Sequence, residues 1–213
     1  MEWIYQAPLL FFSVVFHEFS HGYMAYRRGD DTAYLSGRLT FNPAVHVDLF
    51  GTILLPVLCY MSHLPMFGWA KPVPVNPLRL NRPRQDMVAV AAMGPLSNIA
   101  LALAGVLLLK AVLLASSLLG ADNVVLAVKA LSFLVTVNLV LAVFNLIPIA
   151  PLDGFQIARG LLPYKWAVVY ERHVPYGMWI VLGLIVTGIM RYIITLPVAL
   201  SMLLLAKMGL FTF

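Results

Sequence analysis

Charge is the scarcest ingredient of this chain. Only 11% of its 213 residues are Asp, Glu, Lys or Arg, while 62% are hydrophobic and the mean hydropathy is +0.90. A soluble domain carries about a quarter charged residues. That class is therefore excluded, and most of the mass belongs in a bilayer. Cysteine is nearly absent too: Cys59 stands alone in an apolar run, so it cannot form an intramolecular disulfide and reveals no redox compartment. There is no linker, low-complexity tract or repeat, and little polar sequence is left for a separate soluble unit. One membrane-embedded domain over residues 1–213 is expected. The N-terminus lacks the basic region of a signal peptide, since Glu2 is acidic, and no A-x-A-like cleavage site precedes residue 17. It is read as a mature membrane helix. The net charge of +5 at pH 7 reads as loop charge beside anionic lipid, not as nucleic-acid affinity.

What is present is a series of apolar runs. A membrane helix needs about 20 apolar residues. The first candidate covers about 3–26 and ends at Arg27-Arg28-Gly29-Asp30. Residues 36–46, SGRLTFNPAVH, read as extended or turn structure because of the Asn-Pro break. Residues 47–62 are apolar but short, and a proline-rich basic stretch follows that cannot be a regular helix. A long helix over 87–119, a fourth run over 124–147, and two stretches at about 175–190 and 195–210 complete the plan. The fold class expected is an all-α polytopic membrane protein of about six membrane helices. A small extended or re-entrant element lies between the first and the long central helix. Basic groups follow the first helix (Arg27, Arg28, Arg38), precede the long one (Lys71, Arg79, Arg82, Arg84) and follow the fourth run (Arg159, Lys165, Arg172). The positive-inside rule places all three in the cytosol. Residues 47–86 must then start and finish on one side, which implies a cytosolic cavity, since non-helical backbone at membrane depth needs protein or water around it.

The first helix carries ionisable groups where each is costly. His17, Glu18 and His21 spell H-E-x-x-H. Positions i and i+4 stack on one helix face, so two imidazole nitrogens can hold one zinc ion. Glu18 is rotated about 100° from His17 and serves better as the base for an attacking water than as a ligand. A catalytic zinc site takes three protein ligands and leaves one position open. Asp153 is the best third candidate, because it lies where the fourth run breaks, flanked by Pro151 and Gly154, on the side where the first helix ends. His46 and Asp48 are rivals near the same interface. His63 and His173 stand beside prolines in loops and read as solvated.

These segments together resemble the site-2 protease family of intramembrane zinc metalloproteases, in its short prokaryotic form. The motifs are HEFSH, FNPAVHVDLFGT, FGWAKPVPVNP, AAMGPLSN and NLIPIAPLDG, within about residues 10–160. No PDZ-like insertion or CBS pair is seen, and the helices at about 175–210 add no motif. The resemblance implies His17, His21 and Asp153 as ligands of one Zn²⁺ per chain and Glu18 as general base. It implies single-span membrane proteins as substrates, cleaved within their transmembrane segments, for regulated proteolysis or membrane-peptide clearance. It also implies a prokaryotic inner membrane, with the active site facing the cytosol. Asn98 and Asn145 are uncharged amides near the site in that family. They either hold substrate or the oxyanion or bond helix to helix. The segments SGRLTF and WAKPVPV are expected to offer strand edges to an unwound substrate, although Pro72 and Pro74 lack donors. Two other classes are weighed against the protease. A divalent-metal transporter fits intramembrane His and Asp but leaves Glu18 without a task. A non-catalytic scaffold is disfavoured by the intact His17, Glu18, His21 and Asp153.

Overall fold

The computed structural model describes residues 2–54, 61 and 70–207. Its helices are α1 (Trp3–Arg27), the single turn α2 (Thr32–Leu35), α3 (Pro83–Leu114), α4 (Ala121–Asn145), α5 (Asp153–Leu161), α6 (Tyr164–Glu171), α7 (Gly177–Val186) and α8 (Ile189–Lys207). Among the described residues there is no strand. The all-helical expectation holds at this level.

Among the described residues three helices, α3, α4 and α8, are long and apolar enough to cross a membrane, fewer than the six or so expected. At 25 residues α1 reaches about 37 Å at 1.5 Å per residue. It is not among those three, because Gln6, Ser13, His17, Glu18, Ser20 and His21 dilute its apolar character. The ten residues of α7 rise only about 15 Å, half of a hydrocarbon core of roughly 30 Å. Thr187 and Gly188 interrupt the C-terminal run there: the Thr187 hydroxyl donates to the Gly183 carbonyl at 2.7 Å, and Gly188 turns at φ 76°. The run at 47–62 is seen only in part. Leu49–Leu54 forms one π-helical turn, and most of the re-entrant segment expected beyond it lies outside the described residues.

The extended chain expected at 36–43 and 70–76, as a small sheet or loop, forms no strand. Residues 36–42 make bends and run into a short 3-10 turn, Pro43–His46. Residues 70–76 form irregular chain. The reason is donor supply: Pro72 and Pro74 have no N–H to give, and the N–H of Val73 goes to the Glu18 carboxylate at 2.9 Å, away from any neighbouring backbone.

Helix α3 is the organising element and packs on α4, α1 and α5. Away from the loops its core is apolar: Ala102, Val106 and Leu109 meet Val135 and Leu139 of α4 and Leu205 of α8. A second apolar cluster joins Ile147 and Leu152 to Val181 of α7 and Met190 of α8. At the loop end polar ties replace it. Arg28 pairs with the buried Asp86 at 3.1 Å. Asp30, fully buried, accepts the backbone N–H groups of Thr32 (3.0 Å) and Asn76 (2.6 Å). Arg38 donates to the carbonyls of Val45, Lys71 and Pro72, and Lys71 donates its N–H to the His46 carbonyl. Arg84 reaches the carbonyls of Gly160 and Leu162 at the end of α5. The three basic groups identified in the sequence thus gather at one end of the bundle, the end where α1 stops, α3 starts and α5 lies.

Candidate metal centre

His17 and His21 lie on the α1 face that meets α3, and both are buried. Their Nε2 atoms are 3.0 Å apart. Each Nδ1 is held from behind. His21 Nδ1 is 2.8 Å from the Val90 carbonyl, and His17 Nδ1 is 2.6 Å from Asn98 Oδ1. Both partners are acceptors, so both Nδ1 atoms carry the proton. In the neutral rings that a metal requires, the Nε2 lone pairs are then turned toward each other. Gly94 makes this close approach of α3 feasible. A Cβ at that position would stand 2.4 Å from His21 Nε2 and 2.5 Å from His17 Cε1.

Asp153 completes the group. The chain leaves α4 at Asn145, runs through Leu146–Leu152, and begins α5 with Asp153 in its first turn. A carboxylate is favoured at a helix N-terminus, where unpaired N–H groups point outward. Gly154 lets that turn sit close to the chain leaving α4, since a Cβ there would lie 2.3 Å from the Leu146 carbonyl oxygen. Asp153 Oδ2 is 3.2 Å from His17 Nε2 and Oδ1 is 3.2 Å from His21 Nε2. The ligand atoms of His17, His21 and Asp153 lie within 4.8 Å of one another. Among the described residues no other such group of His, Cys, Asp or Glu occurs.

The donor chemistry of this trio fits a cation. Two imidazole lone pairs and a carboxylate converge with their ring protons turned away. Asp153 Oδ2 is within ion-pair distance of His17 yet is buried with no hydrogen-bond partner. The distance and the missing bond agree if the facing nitrogen carries no proton. Such a set is mutually repulsive until a positive ion sits among it, and two His and one carboxylate suit zinc.

Each remaining sequence candidate has a definite place. Glu18, on the next α1 position, is half-buried and accepts the Val73 N–H through Oε2. Asn98 is fully buried, with its oxygen on His17 and its amide nitrogen 2.8 Å from Asn138 Oδ1. Asn145 donates to the Leu141 carbonyl at 3.0 Å. His46 stays outside the trio: it is fully buried with Nε2 on the Thr40 carbonyl at 2.9 Å. Asp48 accepts the N–H groups of Phe50 and Gly51. His63 lies outside the described residues. His173 is not a solvated loop histidine. It is half-buried against Phe155 and Tyr170 and accepts the Ala150 N–H at 3.4 Å, so it ties the turn that precedes Asp153 to the start of α7.

Sequence reasoning missed Ser13, Val90 and Asn138. Ser13 carried a readable signal, since it precedes His17 by the same four residues that separate His17 from His21 and so shares their face. Asn138 is an amide with apolar neighbours on both sides, and polar groups inside membrane helices are functional candidates by default. Val90 contributes only a carbonyl, which no side-chain pattern discloses.

Fold and site together define a membrane metallopeptidase: an H-E-x-x-H helix packed among apolar helices, with a distant aspartate beside its two histidines. The comparisons give the family. Residues 112–187 match the model of peptidase family M50, a stretch that includes Asp153. The chain is 39% identical over 196 residues to "Putative zinc metalloprotease YwhC" of Bacillus subtilis (strain 168), across 89% of this chain and 84% of that protein. It is 31% identical over 171 residues to "Putative zinc metalloprotease Rip2" of Mycobacterium tuberculosis (strain ATCC 35801 / TMC 107 / Erdman). That match covers 75% of this chain and 61% of Rip2. No solved structure matches the chain. The chain belongs to peptidase family M50, the site-2 protease family. It is a zinc metalloprotease of the membrane.

Proposed function

We propose that this protein is an intramembrane endopeptidase that cleaves the transmembrane segments of single-span membrane proteins from a site open to the cytosol. The observation that carries the reading is the convergence of His17, His21 and Asp153 beside Glu18, on helices packed in an apolar bundle. His17 and His21 offer their Nε2 lone pairs and Asp153 its carboxylate. Zinc, when bound, supplies Lewis-acid polarisation of the scissile carbonyl and makes water acidic enough to attack near neutral pH. Glu18 takes the proton of the attacking water and passes it to the leaving amide nitrogen. The Val73 N–H engages Oε2 of Glu18, which leaves Oε1 for that proton. Packing of α3 on α1 keeps water away from the back of both histidines, whose Nδ1 protons are already bonded.

The basic loops support the orientation. Arg28, Arg84 and Arg159 all stand at the loop end of the bundle, where α1, α3 and α5 meet, and such residues favour the cytosolic side of a prokaryotic inner membrane. A metal transporter would need a polar path through both halves. Away from the loops the core is instead Ala102, Val106, Leu109, Val135, Leu139 and Leu205.

The test is proteolysis in reconstituted vesicles with a panel of single-span proteins. The wild type is expected to cut within the spanning segment of at least one of them, and Glu18→Gln to cut none. Cuts confined to soluble segments would refute the intramembrane reading. Cysteine labelling at Arg82 and Lys165 in a Cys59→Ala background should report the cytosol, and labelling from the opposite side would invert the proposed topology.

A further inference from the structure

Behind His17 lies a chain of hydrogen bonds that leaves the metal centre and ends on helix backbone. His17 Nδ1 meets Asn98 Oδ1 at 2.6 Å, and Asn98 Nδ2 donates to Asn138 Oδ1 at 2.8 Å and, more distantly, to the Ser13 carbonyl at 3.5 Å. Asn138 Nδ2 donates to Ser13 Oγ at 2.8 Å and to the Leu134 carbonyl at 2.9 Å, and Ser13 Oγ donates to the Leu9 carbonyl at 2.8 Å. Ser13, Asn98 and Asn138 are all fully buried at 0% exposure, so none of them trades these bonds for water. The chain crosses from α1 to α3 to α4 and back to α1.

The direction of every bond is fixed from its far end. The carbonyls of Leu134 and Leu9 can only accept. Leu134 therefore requires the amide nitrogen of Asn138 on its side, which turns Asn138 Oδ1 toward Asn98. Asn98 must answer with its own nitrogen, which turns its Oδ1 toward His17. His17 must then carry its proton on Nδ1, and its Nε2 is left as a lone pair facing Asp153 and His21. His21 receives the same instruction from a backbone carbonyl, Val90. A backbone carbonyl cannot invert, whereas the Asn98 amide can. Were Asn98 reversed, its N–H would face His17 Nδ1, the imidazole proton would move to Nε2, and the lone pair needed for a metal would vanish.

We propose that Asn138, anchored by Ser13 and Leu134, is a positioning residue of the metal centre: it holds the Asn98 amide in the one orientation that keeps His17 ready to bind zinc. The inference rests on His17 being a ligand. It is distinct from a helix-joining role for the asparagines, because it requires Asn138 to act on the metal only through Asn98.

The test is zinc affinity of the purified full-length chain in detergent, measured by competition with a chromogenic chelator, alongside thermal unfolding of the metal-free protein. Removing an outer partner of a ligating histidine typically weakens metal binding 10–100-fold. Asn98→Leu is expected in that range, Asn138→Leu to lose about tenfold, at the lower edge of it, and the Asn98→Leu/Asn138→Leu double variant to bind no more weakly than Asn98→Leu alone. Wild-type affinity in Asn138→Leu, or a full further loss in the double variant, overturns the inference, whatever happens to unfolding. If Asn138→Leu does not fold, Ser13→Ala decides, since it removes one anchor with almost no change of volume: a loss of affinity supports the proposal and wild-type affinity overturns it. His17→Ala separates the two readings. Full zinc affinity in His17→Ala removes the ligand assignment itself, whereas weakened binding there with an unaffected Asn138→Leu removes only this inference.

Discussion

Two glycines on α3, about three helical turns apart, show how differently one helix is used along its length. Gly94 lies against α1, and a Cβ there would meet the imidazoles of His21 and His17 at 2.4 and 2.5 Å. Gly105 lies against α4, and a Cβ there would meet Val135 Cγ2 at 2.9 Å. Both obey the same rule: helices in lipid associate through small residues that allow close contact, since lipid offers no hydrophobic drive between them. The partners differ in kind. At Gly105 the neighbour is an aliphatic side chain with a rotamer to yield. At Gly94 the neighbours are two rings, each fixed by an Nδ1 hydrogen bond and, by our reading, by a metal. One crossing is packing, and the other is the back wall of the candidate metal centre.

Several substitutions put that contrast at risk. The largest effect is expected from His17→Ala/His21→Ala, which should reduce bound zinc from about one ion per chain to none by metal analysis of purified protein. Metal at the wild-type level would move the centre elsewhere. Glu18→Gln is expected to keep zinc while proteolysis falls by about 10²–10⁴-fold, the usual contribution of a general base. An active variant would leave the Val73 contact as the whole role of Glu18. Gly94→Ala is expected to weaken zinc by tenfold or more, a size typical of lost support around a metal ligand. Gly105→Ala should bind zinc like the wild type and lose roughly 1–3 kcal/mol of stability, as overpacked cores do. Equal losses of zinc affinity in the two glycine variants would erase the distinction between the ends of α3. The smallest effect is expected at the Lys129–Glu2 pair, whose side chains are each 56% exposed. Lys129→Ala should change stability by less than about 1 kcal/mol and leave zinc affinity untouched.

The membrane class, the helical fold and the buried H-E-x-x-H histidine pair were legible because they rest on composition and on periodicity within one segment. Among the described residues fewer helices can span than the six or so expected: α7 is as apolar as a spanning helix but has only ten residues, and hydropathy alone does not see the break at Thr187–Gly188. The strand edges expected beside the first helix are likewise not formed as strands among the described residues. SGRLTF and WAKPVPV have strand-like composition, but a strand exists only when a partner takes its donors, and here Glu18 takes the Val73 N–H.

The sequence by itself determined that this chain lives in a bilayer, that His17 and His21 share a helix face, and that Asp153 sits at a break able to present it. Those are properties of spacing and of transfer free energy, which act locally. Only the tertiary structure decided that Asp153 stands 3.2 Å from both histidines and that His46 does not join them. It alone decided that Asn98 and the Val90 carbonyl stand behind the two imidazoles and that Asn138 and Ser13 stand behind Asn98. Hydrogen bonds have a direction and a reach of about 3 Å. Which donor meets which acceptor therefore depends on helices crossing at particular residues, and a linear pattern does not contain those crossings.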